Sequence, residues 1–243
     1  MTGASEGNGG SRTLLAVAAP KEVDAVLAGL GKPRGEGNSV QDWRPRRLDA
    51  RFDLLITGVG KANAAAAMAR ACSLGGPWSR VINIGIVGAL PGSELEVGAV
   101  VDADVAAYAD EGSLDPAGFT DLASMGFGPL ADICGPGSGA DRMRIELAPL
   151  ARIPGAVRGG VATVSTCSGV DALASEVARR TGCIVEDMEL AALAFTLKRL
   201  SPATPCSAIK VVSNQTGDEA RRSWDLPRSL KALTLAAAPL RAS

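Results

Sequence analysis

Apolar residues recur along this chain in two rhythms. Short apolar runs occupy Thr13 to Ala18, Arg51 to Gly58, Arg80 to Ala89, Val97 to Ala107, Gly160 to Ser165, Cys183 to Val185 and Ala208 to Ser213, and their length is that of buried strands. Between them the spacing becomes helical. Val23, Val26, Leu27 and Leu30 follow Pro20-Lys21-Glu22, an alanine-rich segment runs from Gly58-Val59-Gly60-Lys61-Ala62-Asn63 to about Leu74, and a further helix spans about Asp171 to Arg180. Residues 188 to 199 place Leu190, Leu193, Ala194 and Leu197 on one face, and an amphipathic C-terminal helix ends around Pro239. This alternation predicts an α/β domain with one mixed or parallel sheet flanked by helices. Residues 108 to 140 break the rhythm with a Gly- and Pro-rich irregular stretch. A connection that long is expected to cover a substrate or form an interface.

Polar residues gather where the predicted strands end, and in open α/β sheets ligands bind at those strand ends. The densest case is Ile184-Val185-Glu186-Asp187-Met188-Glu189-Leu190-Ala191-Ala192, where three acids stand at a strand-to-helix junction. From the local pattern they either complement the helix dipole or line a crevice; both readings stay open at this point.

Composition narrows the chemistry. At 243 residues the chain fits one large domain, expected over 13–243. Residues 1–12 are rich in Gly, Ser, Asn and Glu and are expected to form a disordered tail without the pattern of a signal peptide. No apolar run reaches the roughly 18 residues of a membrane span, so a cytoplasmic setting is expected. Five cysteines lack metal or redox spacing, which points to a reducing compartment and to no bound metal. With a net charge of -1 and its only basic cluster at Arg44, Arg46, Arg47 and Arg51, the chain offers no footprint for nucleic acid, and the cluster reads as a solvated edge. Histidine is absent altogether. That excludes imidazole bases and the Ser-His-Asp and Cys-His pairs, leaving carboxylates and amides to do the work.

Five short motifs then occur in a telling order: Ala19-Pro20-Lys21-Glu22, Gly58-Val59-Gly60-Lys61-Ala62-Asn63, Val81-Ile82-Asn83-Ile84-Gly85, Val185-Glu186-Asp187-Met188-Glu189 and Val212-Ser213-Asn214. Together they resemble the nucleoside phosphorylase and nucleosidase superfamily over about residues 13 to 238. Within it, Asp110-Glu111-Gly112, Gly118-Phe119, Met125-Gly126-Phe127-Gly128, Thr163-Val164-Ser165-Thr166 and Ser213-Asn214-Gln215-Thr216-Gly217-Asp218 are similar to the futalosine hydrolases. The resemblance implies a single-domain three-layer sandwich with a central mixed sheet. It implies cleavage of the N-ribosidic bond of a purine nucleoside, futalosine, without a cofactor, by a homo-oligomer built on a dimer.

The same resemblance assigns expected roles. Glu22 matches the water-activating glutamate, and Met188 and Glu189 match the pair under the ribose. Val87, Gly88, Thr166 and Cys167 are expected against the substrate, Asn214 at the leaving base, and Asp218 or water as its proton source. Each catalytic candidate also has an ordinary structural reading: a helix-start acid for Glu22, an Asx-turn residue for Asn214 and a turn acid for Asp218. Departures are informative. Asn83-Ile84-Gly85 and Ala19-Pro20-Lys21-Glu22 lack the arginines with which phosphorylases hold phosphate, so water is the expected nucleophile. Asparagine at 214 replaces the aspartate of adenine-cleaving nucleosidases and offers a donor to a 6-oxo group. Leu190 stands where glycine is common, and Glu219 where arginine is common. The competing readings are a methylthioadenosine/S-adenosylhomocysteine nucleosidase and a non-catalytic nucleoside-binding protein on the same fold.

Overall fold

A computed structural model describes residues 12–33, 42–76, 78–135, 142–150, 153–218 and 224–242. Within them the chain runs β1 (Arg12–Val17), α1 (Pro20–Gly29), β2 (Arg46–Arg47), β3 (Phe52–Ile56), α2 (Lys61–Leu74), β4 (Trp78–Ala89), β5 (Val100–Tyr108), β6 (Gly112–Asp115), β7 (Gly118–Asp121), α3 (Ala131–Cys134), β8 (Arg144–Glu146), β9 (Val157–Thr163), α4 (Asp171–Thr181), β10 (Val185–Asp187), α5 (Leu190–Leu200), β11 (Cys206–Gln215) and α6 (Leu226–Ala237), with a closing 3₁₀ turn, Ala238–Arg241. The expected tail at 1–12 lies outside the described residues except for Arg12, which already belongs to β1. Glu219 lies outside them as well.

Strand alternation sorts the core into two faces. On β1, Leu15 and Val17 pack with α1 and α6, while Leu14 and Ala16 pack with α2 and α5. On β3, Leu54 and Ile56 join the first cluster and Leu55 the second. A period of two along buried strands requires this split, since successive side chains point to opposite faces. The result is helices, sheet, helices: the expected three layers.

The sheet is mixed, in the order β10-β9-β5-β11-β4-β1-β3-β2. β1 and β11 run parallel to β4, and β5 runs antiparallel to β11. One addition goes beyond a flat sandwich. β10 pairs with β9 and also, antiparallel, with the end of β4, so β4, β11, β5, β9 and β10 close into a ring. That closure sets Glu186 opposite Gly88. The strand ends from which the polar motifs project therefore surround one space.

The irregular stretch contains more structure than its composition suggests. β6 and β7 form a two-stranded hairpin between Gly112 and Asp121, and the Arg180 guanidinium lies 3.9 Å from the centroid of the Phe119 ring. Leu114 and Phe127 are 79% and 66% exposed there, leaving an apolar surface. The arginine cluster sits at the sheet edge, where β2 pairs with β3.

Candidate active site

A cavity of about 590 Å³ opens at the strand ends, and its walls include Glu22, Val87, Gly88, Cys167, Met188, Glu189 and Asn214. Seven of the nine expected site residues thus meet in one place. Thr166 and Asp218 do not line it. Thr166 is exposed. Asp218 accepts the Asp171 backbone N–H at 3.2 Å, and its own N–H donates to Asp171 at 3.1 Å. This reciprocal pair ties the 218 turn to the start of α4, and the carboxylate points at helix backbone instead of at the cavity.

Glu22 owes its position to the way α1 begins. Pro20 starts the helix without needing an N–H partner, which puts Glu22 in the first turn, where its Oε2 accepts the Ala19 N–H at 2.8 Å. Oε1 accepts the Ile86 N–H at 2.8 Å. The carboxylate fits because residue 85 is glycine: a Cβ there would lie 2.8 Å from Oε1. Glu22 is buried, and burial pushes its pKa up against the pull of those two N–H groups and of Lys210. A buried carboxylate with a raised pKa at a cavity wall suits a general base.

The acids of the 186–189 stretch have parted company. Asp187 is structural: it accepts the Leu190 N–H at 3.0 Å and the Thr163 hydroxyl at 2.7 Å, while Thr163 Oγ1 accepts the Ala191 N–H at 2.9 Å. Those contacts satisfy the first turn of α5. Asp187 also receives the Lys210 ammonium at 2.6 Å, both side chains being fully enclosed. Glu189 turns the other way and accepts the Gly60 N–H at 2.8 Å, from a glycine whose φ of 98° would strain any other residue. Burial, and then the Asp187 charge, push the Glu189 pKa up to about 7, with Lys210 and the Gly60 N–H opposing. Leu190, where a glycine is common, is absorbed into the core without exposure.

On the β11 wall of the cavity, Asn214 Oδ1 accepts the Ser213 hydroxyl at 2.9 Å and Nδ2 donates to the Gln215 carbonyl at 2.9 Å. Cys167 lies 3.7 Å from Met188, sulfur to sulfur. Two residues beyond the nine site candidates matter here. Glu186 is buried and lines the cavity. Lys210 is the buried cation whose field reaches both Glu22 and Glu189. Its sequence signal was a lone charge in the otherwise apolar run Ala208 to Ser213, a position lysine occupies almost only when paired.

The cavity is acid-lined. Among the described residues its walls carry Glu22, Glu186, Asp187 and Glu189 against a single cation, the exposed Lys21. A phosphate dianion gains little there, whereas ribose hydroxyls and water find acceptors.

The sequence model of the phosphorylase superfamily matches residues 53–241. The chain belongs to that superfamily. Two curated relatives stand well above chance similarity. The futalosine hydrolase of Acidothermus cellulolyticus is 35% identical over 239 residues, 96% of this chain and 91% of that protein. That of Streptomyces coelicolor is 33% identical over 232 residues, 91% of each chain. Among solved structures, a futalosine hydrolase mutant of Helicobacter pylori matches with a TM-score of 0.67 at 15% identity, covering 96% of this chain and 98% of that one. The 5'-methylthioadenosine/S-adenosylhomocysteine nucleosidase of Neisseria meningitidis in complex with methylthio-immucillin-A matches with a TM-score of 0.66 at 22% identity, covering 96% and 100%. The structural likenesses show a fold common to both enzyme types; the two curated relatives at 33–35% identity are both hydrolases.

Proposed function

We propose that this chain is a futalosine hydrolase: it hydrolyses the N-ribosidic bond of futalosine, releasing hypoxanthine and dehypoxanthine futalosine in menaquinone biosynthesis. The observation that carries the reading is the meeting of Glu22, Glu189 and Asn214 in one acid-lined cavity. Kinship with two futalosine hydrolases over more than nine-tenths of the chain supports it.

The geometry supports a role for each residue. Breaking the C–N bond builds positive charge on the ribose and negative charge on the purine, so carboxylates below the sugar and donors at the base favour the transition state. Glu22 takes a proton from water as the water attacks the sugar carbon. Glu189 and Met188 hold the ribose, the carboxylate accepting from its hydroxyls. Asn214 meets the 6-oxo group of the purine with an amide N–H, where an ionised aspartate would only accept. With the Asp218 carboxylate held at the start of α4, the leaving base draws its proton from water. Lys61, Tyr108 and Asn63 line a second cavity of about 550 Å³ that shares Val59 and Met188 with the first; it offers room for the remainder of the substrate. The reading carries with it a cytoplasmic setting and a homo-oligomer built on a dimer. None of Cys72, Cys167, Cys183 and Cys206 is in a disulfide, and the exposed Leu114, Met125 and Phe127 give an assembly an apolar face to bury.

Incubation with futalosine, inosine and methylthioadenosine, without and with phosphate, followed by chromatography of the released bases, tests the proposal. Hypoxanthine is expected from futalosine at a rate that phosphate does not change. A ribosyl phosphate product, or faster release of adenine from methylthioadenosine, would refute it.

A further inference from the structure

β10 and β11 flank the same residue of β4. Glu186 stands opposite Gly88 on one side, and Asn214 stands opposite Gly88 on the other. Paired positions on neighbouring strands present their side chains to a common face, so these two lean over the glycine between them. A Cβ on Gly88 would lie 3.5 Å from Glu186 Cγ and 3.4 Å from Asn214 Nδ2. All three residues line the cavity. The Glu186 carboxylate is also oriented: Ser168 donates its backbone N–H to Oε1 at 2.9 Å and its hydroxyl to Oε2 at 2.6 Å. For Asn214, the contacts to Ser213 and Gln215 use one lone pair and one N–H, and a primary amide has two of each.

A carboxylate beside an amide donor complements one purine edge. A 6-oxopurine presents the N1–H donor next to the O6 acceptor, and a 6-aminopurine reverses both. We propose that Glu186 is a specificity-determining residue that accepts the N1–H of a 6-oxopurine while Asn214 donates to O6. This rests on the purine-nucleoside reading above. Against a 6-aminopurine the carboxylate faces the lone pair of N1 and the amide N–H faces an amino group. Both contacts are then like against like, the mismatch that buried polar sites reject most strongly.

The competing role for Glu186 is purely structural, as an anchor of Ser168 and of its other surroundings. Equilibrium binding of free hypoxanthine, adenine and 1-methylhypoxanthine, measured calorimetrically, separates the two. The wild-type protein is expected to bind hypoxanthine about 100-fold more tightly than 1-methylhypoxanthine, which lacks the N1–H; equal affinity overturns the assignment without any variant. Glu186→Gln keeps the side-chain volume and one acceptor for Ser168 but turns an NH₂ toward the base. The ratio of hypoxanthine to adenine affinity is expected to fall about 100-fold in this variant. A structural anchor would weaken both bases alike, and an unchanged ratio overturns the proposal. Futalosine hydrolysis is assayed on the same wild-type preparation. If hypoxanthine binds with N1–H selectivity but futalosine is not cleaved, the substrate reading falls and the role of Glu186 stands.

Discussion

Glu22 is where the structure makes its most direct claim about a single side chain. Its two oxygens accept different backbone N–H groups, so Glu22→Gln necessarily sets an NH₂ against one donor. The variant also loses the proton acceptor. Turnover is expected to fall roughly 100-fold or more, the usual contribution of a general base, while KM changes little. The pH dependence follows from the burial that raises its pKa above 4.5. A base works only when ionised, so activity declines with falling pH above the range of an ordinary glutamate. Glu189 titrates nearby, and the acid limb of kcat/KM that persists in Glu189→Gln but vanishes in Glu22→Gln belongs to Glu22. Near-normal turnover in Glu22→Gln would return the residue to a helix-start acid.

Among the elements, β4 does most to assemble the site, because its glycines admit side chains from its neighbours. Gly85 stands opposite Lys210 on β11 and leaves room for the Glu22 carboxylate above it. Gly85→Ala is therefore expected to displace Glu22 from the Ile86 N–H and reduce kcat at least about 10-fold, whereas overpacking of this kind costs only about 1–3 kcal/mol of stability. Unchanged kcat, measured beside Tm, would show that α1 yields and that the fit is not required. Most of these elements were legible in sequence because burial on both faces leaves long apolar runs, as in Arg80 to Ala89 and Ala208 to Ser213. The two-residue β2, the hairpin β6–β7 and the short β8 were not. Their residues are partly or wholly exposed, and a strand without a buried face leaves no apolar signature. The same limit applies to the site. Glu22, Glu189 and Asn214 sit at strand-to-helix junctions that the chain announces locally. Glu186 acquires its neighbours only when β10 closes on β4, a pairing between residues nearly a hundred positions apart. The contact that holds Asp218 at the start of α4 is also non-local, spanning 47 positions of the chain.

For the whole molecule the buried charge has a stability consequence. Glu22, Asp187 and Glu189 are enclosed around Lys210, whose ammonium is committed to Asp187, so carboxylates outnumber the buried cation. Burial and the Asp187 charge therefore raise the Glu189 pKa from 4.5 to about 7. In that window the folded protein holds a proton that the unfolded chain has released, and stability falls as pH rises. The contribution of Glu189 is fully present below 4.5 and lost above about 7. Glu189→Gln removes the charge but retains an oxygen for the Gly60 N–H. At about pH 8 the variant is expected to be more stable than the wild type by about 3 kcal/mol, roughly 6–12 °C in Tm for a chain of this size. At about pH 5 the gain should largely disappear, because the wild-type residue is then protonated. The same variant is expected to lose activity through weaker ribose binding, the exchange common where a site holds strained charge. Thermal unfolding of both proteins between about pH 5 and pH 8 tests this. Parallel Tm curves would mean that Glu189 is ionised throughout and that another group absorbs the excess negative charge.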